Sequence, residues 1–222
     1  MVDGNKHDVL QNVNAVFPQN SISVILGKSG CGKTTLLRIL ANLEPCDQGK
    51  VCIDRDEKIS FVFQEPRLMP WLSVSKNITF GLEKQKIDSE EIDELMNLIG
   101  LKKFETAYPH QLSGGMQQRV ALARALAYDP SIILMDEPFA ALDYFTREAM
   151  QNELIRIHQL KKKSIIFVTH SIEEAIAIGQ NIFVVNEGTI HAHFNLEHHD
   201  YPRDVLSPSL IEMKKEIINK LA

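Results

Sequence analysis

The sequence predicts an α/β fold in which helices cover a mainly parallel β-sheet, with a helical subdomain inserted between strands. Short apolar runs alternate with segments of helical apolar spacing, which is typical of strands joined by helices. From about residue 73 to residue 128 the strand-like runs give way to residues that favour helices. A strand over residues 181–186 is followed by a Glu187-Gly188 turn, which predicts a small antiparallel β portion.

The predicted core begins with a strand at residues 21–26 and a helix at residues 33–43, which Asn42 can end in a left-handed conformation. Within the insertion, helices are predicted over residues 88–99 and 116–127. The other predicted strands are residues 51–53, 60–63, 132–135 and 164–168. A further helix is predicted over residues 144–160. Two more helices are predicted to begin at a Ser171–Glu174 capping box and at Ser207 and Pro208. The chain is then one domain over residues 1–222, with a core over about 1–72 and 129–190, a helical subdomain over about 73–128 and a tail over about 191–222.

Composition excludes several classes of protein. With 222 residues, of which 44% are apolar and 24% charged, the chain is long enough for a full hydrophobic core. Its net charge of −5 does not suggest a general affinity for nucleic acid, which normally needs a basic face. No apolar run approaches the roughly 20 residues that cross a bilayer. Any link to a membrane is therefore expected to run through a partner. Cys31, Cys46 and Cys52 lack metal-ligand spacing and indicate reduced thiols of a cytosolic protein.

Residues 27–34 fit the phosphate-loop pattern G-x-x-x-x-G-K-[ST] between a predicted strand and a predicted helix. The glycines let backbone N–H groups approach phosphate oxygens, Lys33 adds a positive charge, and the Thr34 hydroxyl can ligate Mg²⁺. Cys31 is expected to fill a variable position of the loop, and a reactive thiol is the alternative. The predicted nucleotide-binding residues of this segment are Gly27, Lys28, Ser29, Gly30, Cys31, Gly32, Lys33, Thr34 and Thr35.

A second motif places two acids at the end of a predicted strand. The apolar run 132–135 ends in Asp136 and Glu137, and adjacent carboxylates repel each other unless a cation or a reaction uses them. Asp136 is expected to hold Mg²⁺, and Glu137 to orient or deprotonate the attacking water. A strand that runs into a solvated turn is the usual explanation of such a pair. The phosphate loop in the same chain favours the catalytic interpretation.

Residues 112–115, Leu-Ser-Gly-Gly, come before the predicted helix 116–127. Gly114 and Gly115 would expose the N-terminus of that helix as a second anion-binding end, to which Ser113 adds a hydroxyl. For this segment alone, an ordinary Ser-Gly-Gly cap is an equal alternative. Two phosphate-binding ends in one chain are more than one nucleotide needs.

Taken in order, these segments resemble the motifs of the ATP-binding cassette (ABC) family over nearly the whole chain. The matches are residues 27–34 to the Walker A motif, Gln64 to the Q-loop, residues 112–115 to the signature, residues 132–136 to the Walker B motif, Glu137 to the catalytic glutamate, residues 141–143 to the D-loop, and His170 to the switch histidine. The resemblance implies a P-loop NTPase fold of the ABC ATPase type, with ATP and Mg²⁺ as cofactors.

The resemblance also implies roles that the residues alone do not show. ATP is expected to lie between two copies in a head-to-tail dimer, with the signature of one copy on the γ-phosphate held by the other. The nucleotide-binding residues then include Ser113, Gly114, Gly115 and Asp143, the last organising the dimer interface. The implied catalytic residues are Lys33, Gln64, Glu137 and His170, and the implied Mg²⁺ ligands are Thr34, Gln64 and Asp136.

Residues 64–73 and 77–81 resemble the cassettes of nitrate, sulfonate and taurine importers. This implies transmembrane permease partners, an indirect extracytoplasmic solute-binding protein, and a place at the cytoplasmic face of the membrane. Met69, Trp71 and Leu72 form an apolar cluster that could receive a helix of the permease, and packing of Trp71 within the subdomain junction is the alternative. The competing function is a soluble ABC ATPase that is not coupled to transport.

One feature of the family is missing from the sequence. Its members usually present an aromatic residue of the first strand to stack on adenine. No Phe, Tyr or Trp precedes Phe17, and only His7 offers a flat ring there.

Overall fold

The structure, a computed structural model, describes residues 8–54, 56–83, 88–140 and 142–221. Residues 8–52 and 164–221 belong to one compact unit, and the described residues between 53 and 163 belong to the other. The strands in chain order are β1 Ile22–Gly27, β2 Ile59–Val62, β3 Ile132–Asp136, β4 Ser164–Thr169, β5 Asn181–Asn186 and β6 Thr189–Asn195. The helices are α1 Lys33–Leu40, α2 Val74–Ile78, α3 Ser89–Leu98, α4 Gly114–Ala127, α5 Tyr144–Lys161, α6 Ile172–Ile178 and α7 Pro208–Leu221.

In the first unit, β1 is a central strand. It pairs in parallel with β4 on one side and with β5 on the other, and β5 continues into an antiparallel pair with β6. Every residue of β1 is buried, because helices α1 and α6 pack on it. The turn between β5 and β6 uses Glu187 and Gly188, whose φ angles are +45° and +74°. Helix α7 packs on α6 and β5.

In the second unit, the parallel pair of β2 and β3 lies against helices. Helix α4 packs on β2, α2 and α3, and is buried along most of its length. The side chain of Asp88 caps α3 by accepting a hydrogen bond from Glu90 N at 2.8 Å. Ser73 caps α2 in the same way, by accepting from Lys76 N at 3.4 Å.

The predicted α/β fold with a mostly parallel sheet and a small antiparallel portion is confirmed. The predicted strand over residues 51–53 is wrong, since the backbone there is irregular and Val51 and Ile53 are 41% and 37% exposed. Three residues between polar neighbours bury too little apolar surface to hold a strand. The five-residue helix α2 was not predicted, because its stability comes from packing rather than from helix propensity. The division into core, helical subdomain and tail stays a prediction.

Cys31, Cys46 and Cys52 are free cysteines. Within the four described ranges, none of the helices combines the length and the apolar character that a membrane crossing needs.

Candidate nucleotide-binding site

The loop between β1 and α1 has the backbone of a phosphate cradle. Gly30 and Gly32 have φ angles of +83° and +99°, which side-chain-bearing residues rarely adopt. A Cβ atom on Gly30 would meet nothing within 4 Å, so the backbone angle alone requires glycine there. A Cβ atom on Gly32 would lie 2.9 Å from the carbonyl oxygen of Val9, so the neighbouring backbone excludes it as well. The loop leads into the N-terminus of α1, whose dipole favours an anion at this place.

Lys33 is folded back over the loop that precedes it. The side chain is 4% exposed, and Nζ donates to the carbonyl oxygens of Gly27 and Lys28, each at 2.9 Å. Gly27 itself is tightly enclosed, since a Cβ atom there would lie 2.4 Å from the carbonyl oxygen of Val185. The ammonium group is therefore fixed beside the backbone that would receive phosphate.

His170 and the phosphate loop lie at the same end of the sheet, because they follow the carboxyl ends of the paired strands β4 and β1. Leu26 and Thr169 are paired residues of these parallel strands, with Gly27 and His170 next along the chain. Ligands of α/β proteins bind beyond the carboxyl ends of parallel strands, which is where both residues lie. His170 is exposed between β4 and α6. The first unit thus brings together the loop and the histidine that the sequence predicted.

Hydrogen bonds fix the backbone on both sides of His170. The Thr169 hydroxyl donates to Glu174 Oε2 at 2.5 Å and accepts from Ser171 N at 3.0 Å. Ser171 Oγ accepts from Glu174 N at 3.3 Å and caps α6, as the sequence predicted. The carboxylate of Glu174 thereby ties the end of β4 to the first turn of α6.

In the second unit, β2 and β3 end side by side, with Val62 paired to Met135. Gln64 follows β2, and Asp136 and Glu137 stand at the end of β3, so one amide and two carboxylates share this edge. Asp136 is 8% exposed, and Glu137 has a φ of +43°. A left-handed conformation is uncommon for glutamate, and such strain is concentrated at functional sites.

Ser113 and the two glycines after it form the N-terminus of α4. Ser113 Oγ accepts from Met116 N at 3.3 Å, so it caps the helix, while the hydroxyl proton can still be donated. Ser113 and Gly114 are exposed, and Gly115 is buried. A Cβ atom on Gly115 would lie 2.5 Å from Thr146 Cγ2, so the first turns of α4 and α5 touch.

Asp143 opens α5 next to this cluster. Its side chain accepts from Thr146 N at 3.1 Å, and hydrogen bonds from Thr146 hold the pKa of the exposed Asp143 carboxyl below its ordinary value. Tyr144 and Phe145, which follow, are 70% and 79% exposed and pack edge to face with ring centroids 5.5 Å apart. The signature, Asp143 and two exposed aromatic rings therefore occupy neighbouring positions.

Each unit thus collects its own set of the predicted residues. The first holds Gly27, Lys28, Ser29, Gly30, Cys31, Gly32, Lys33, Thr34, Thr35 and His170, and the second holds Gln64, Ser113, Gly114, Gly115, Asp136, Glu137 and Asp143. Ala141 of the D-loop and His7 lie outside the described residues. Arg124 and Gln118 were not predicted, because the hydrogen bonds that they donate to backbone carbonyls of residues 63–67 have no local signal in the sequence. The individual catalytic and binding roles stay predictions.

These features define a class of protein, the P-loop nucleoside triphosphatases, through a phosphate cradle after β1 and an acid pair after β3. The sequence profile of the family described as "ABC transporter" matches residues 10–140, more than half of the chain. The chain belongs to the ABC transporter family and is of the ATP-binding, ATPase type, as the sequence predicted.

Two relatives show which members the chain resembles. An uncharacterised ABC transporter ATP-binding protein of Methanocaldococcus jannaschii is 46% identical over 231 residues, which cover 99% of this chain and 86% of that protein. The aliphatic sulfonates import ATP-binding protein SsuB of Bacillus cereus is 41% identical over 220 residues, which cover 96% of this chain and 88% of that protein. The predicted resemblance to the sulfonate branch is confirmed.

A solved structure of a similar cassette supports the predicted fold and is itself a dimer. An ATP-binding cassette, in a dimeric post-hydrolysis state bound to ADP and Pi, has a TM-score of 0.75 and 34% identity. The match covers 85% of this chain and 90% of that chain. The predicted ABC ATPase fold is confirmed, and that similar cassette is a dimer with the products of ATP hydrolysis.

Proposed function

We propose that two copies of this chain form a head-to-tail dimer that hydrolyses two ATP molecules and powers an importer of small anions. The observation that carries the proposal is the pair of glycine-rich helix N-termini, at α1 in the first unit and at α4 in the second. One triphosphate needs one such cradle, so the second serves a nucleotide bound by the other copy. The dimeric state of the similar cassette with ADP and Pi supports this assembly.

The loop after β1 is proposed to hold the triphosphate. Backbone N–H groups of residues 27–35 surround the phosphates, and Lys33 exchanges the carbonyl acceptors of Gly27 and Lys28 for phosphate oxygens. A charge-assisted hydrogen bond is stronger than the neutral acceptor it replaces, which favours the exchange. His170, at the same sheet edge, contacts the γ-phosphate and supports the transition state.

Hydrolysis is assigned to the residues after β2 and β3. Thr34, Gln64 and Asp136 offer the oxygen ligands that Mg²⁺ prefers, and this cation would neutralise charge on the phosphates. Glu137 orients the attacking water and accepts its proton. Asp136 is only 8% exposed, which favours a cation-binding acid pair over a solvated turn.

The second copy is proposed to close each site. The Ser113 hydroxyl and the N–H groups of Gly114 and Gly115 bind the γ-phosphate held by the partner copy, and Asp143 organises the interface. Tyr144 and Phe145 support this placement, since two adjacent aromatic rings at 70% and 79% exposure are favourable when a second copy covers them.

The similarity to import proteins and the exposure of Trp71 support a permease as the transport partner. SsuB is an import ATP-binding protein for aliphatic sulfonates, so we assign this chain to a permease for sulfonates or related small anions at the cytoplasmic membrane face. A solute-binding protein outside the membrane would act through that permease. Trp71 is 70% exposed, which favours a surface for a permease helix over packing within the subdomain junction.

The substitution Glu137→Gln tests the hydrolytic proposal. It keeps the size of the side chain and removes the base, so turnover of ATP should fall about 100-fold or more while ATP binding persists. Phosphate release and sedimentation velocity with Mg²⁺ and ATP measure both quantities, and the variant should accumulate as an ATP-bound dimer.

Glu148→Gln is the matched control, since Glu148 is an exposed glutamate on α5. It should hydrolyse ATP like the unaltered chain. Normal hydrolysis by Glu137→Gln would remove Glu137 from its role, and a variant that stays monomeric with saturating ATP would contradict the dimer.

A further inference from the structure

The chain after β2, residues 63–73, carries both Gln64 and the exposed Trp71. It has little regular structure of its own, yet side chains from two helices of the same unit hold its backbone. Helix α4 holds the first half and helix α2 holds the second half. Residues 63–73 thus form a connecting segment between β2 and α2.

Helix α4 binds the first half of the connecting segment through two side chains. Gln118, only 3% exposed, donates from Nε2 to the carbonyl oxygen of Phe63 at 3.4 Å. Arg124 donates from Nη1 to the carbonyl oxygen of Arg67 and from Nη2 to that of Pro66, each at 2.9 Å. The planar guanidinium thus donates hydrogen bonds to two successive carbonyl oxygens at once, a geometry that lysine cannot reproduce.

The backbone that Arg124 grips is in an unusual conformation. Arg67 has a φ of +46°, and its guanidinium carbon lies 3.9 Å from the centroid of the Phe63 ring. A left-handed conformation is costly for arginine, so it persists only where neighbouring contacts determine it. The cation–π contact and the two hydrogen bonds from Arg124 are such contacts.

Asn77 on α2 holds the second half. It is fully buried, accepts from Met69 N at 2.8 Å, and donates from Nδ2 to the carbonyl oxygens of Met69, Leu72 and Ser73 at 3.0–3.1 Å. Trp71 therefore projects from a stretch whose backbone is fixed at both ends.

We propose that Arg124 is a positioning residue that transmits the state of the signature end of α4 to Gln64 and Trp71. Helix α4 runs without a break from Gly114 to Ala127, and Arg124 lies about 15 Å along it from Gly114. When a second copy and its ATP engage the N-terminus of α4, the helix moves as one body. The carbonyls of Pro66 and Arg67 follow Arg124, and the connecting segment moves with them.

This inference rests on the dimer of the proposed function and adds a route by which ATP alters the surface for the permease. It differs from a merely structural role for Arg124 in one observable respect. A structural role predicts that its loss weakens the whole unit, whereas a positioning role predicts that ATP-driven dimerisation survives while the connecting segment no longer responds.

Trp71 supplies the readout, because it is the single tryptophan of the chain. The experiment uses the full chain with Glu137→Gln, titrated with ATP and Mg²⁺, and records tryptophan emission and dimerisation by light scattering. Arg124→Gln and Arg124→Lys are introduced in that background. The matched control is Arg119→Gln, because Arg119 lies on the same helix and donates instead to the carbonyl oxygen of Ile99, at 3.5 Å.

In the parent, Trp71 emission should change over the same ATP concentrations as dimerisation. Arg124→Gln should dimerise at unchanged ATP concentrations and lose the emission change, Arg124→Lys should keep part of it, and Arg119→Gln should keep all of it. If circular dichroism shows that Arg124→Gln does not fold, Arg124→Lys decides the question. A partial emission change in that variant supports the inference, and a full emission change overturns it.

Three results overturn the inference: a full emission change in Arg124→Gln, joint loss of dimerisation and emission change in a folded Arg124→Gln, or a parent that dimerises without any emission change. A parent that does not dimerise with ATP instead contradicts the proposed function, and the inference falls with it. The light-scattering signal separates these two failures.

Discussion

Gly115 and Thr146 join the first turns of α4 and α5 with no room for a further carbon atom, since a Cβ on Gly115 would lie 2.5 Å from Thr146 Cγ2. Thr146 also donates its backbone N–H to the Asp143 carboxylate at 3.1 Å. At the neighbouring Gly114, a Cβ atom would meet nothing within 4 Å. Packing within this unit therefore excludes a side chain at Gly115, whereas Gly114 lies at the surface, where a Cβ atom would contact no atom of the chain.

Gly115→Ala should destabilise the chain. Thr146 is β-branched and has little rotamer freedom in a helix, so the new methyl group forces a backbone shift that costs about 1–3 kcal/mol. The higher helix propensity of alanine offsets up to about 1 kcal/mol of that cost. Urea unfolding followed by circular dichroism should show a lower free energy of unfolding.

Gly114→Ala is its matched partner. The added methyl group faces open space, so stability should be unchanged or rise by up to about 1 kcal/mol. In the proposed dimer the same methyl group meets the ATP of the other copy, so ATP-driven dimerisation should need more ATP. Equal stability losses at both positions would contradict this account of the two glycines.

Replacing Tyr144 and Phe145 by serine should weaken the dimer without weakening the monomer. Both rings are exposed, so their loss removes little packing within the chain. In the Glu137→Gln background, sedimentation should show that more ATP is needed for dimerisation. Leu160→Ser is the control, because Leu160 is a 65% exposed apolar residue about 23 Å further along α5. An equal effect of Leu160→Ser would show that the loss of any exposed apolar side chain weakens the dimer, whatever its position on α5.

Tyr201 should make stability depend on alkaline pH. Burial raises the pKa of Tyr201 to about 12 from an ordinary 10.0, against the opposing charge of Arg203. The unfolded chain therefore loses this proton first as the pH rises, so the free energy of unfolding falls between about pH 10 and pH 12. Tyr201→Phe should remove this part of the decline.

The same substitution costs a hydrogen bond, since the Tyr201 hydroxyl donates to the carbonyl oxygen of Ile178. Tyr201→Phe should therefore lower stability at neutral pH by about 1 kcal/mol. Tyr128→Phe, at a half-exposed tyrosine, is the control and should keep the alkaline decline. An identical decline in both variants would show that Tyr201 does not contribute to it.

The phosphate loop and the acid pair could be predicted because each is a short motif between local elements. A strand before residues 27–34 and a helix after them suffice to shape the loop, and both are visible as apolar patterns. His170 was predicted only from the resemblance to the family, and the parallel register between Leu26 and Thr169 places it at the same end of the sheet as the loop.

The contacts of Arg124 could not be predicted in this way. Its two acceptor carbonyls lie 57 and 58 residues earlier in the chain, and neither belongs to a regular element. An arginine within a helix of good helix formers predicts only helix. The strand predicted over residues 51–53 failed for a related reason, because an apolar run does not indicate whether a neighbouring strand is present to pair with it.

In the proposed dimer, each ATP site takes its two halves from two copies. Ser113→Arg blocks the signature half, and Lys33→Met removes the charge of the phosphate-loop half, so each variant alone should be inactive. In a mixed dimer, one site combines the intact Lys33 of the first variant with the intact Ser113 of the second. An equal mixture should therefore regain about a quarter of the sites of the unaltered dimer by random pairing. A mixture that stays as inactive as either variant alone, while heterodimers are shown to form, would contradict the composite site.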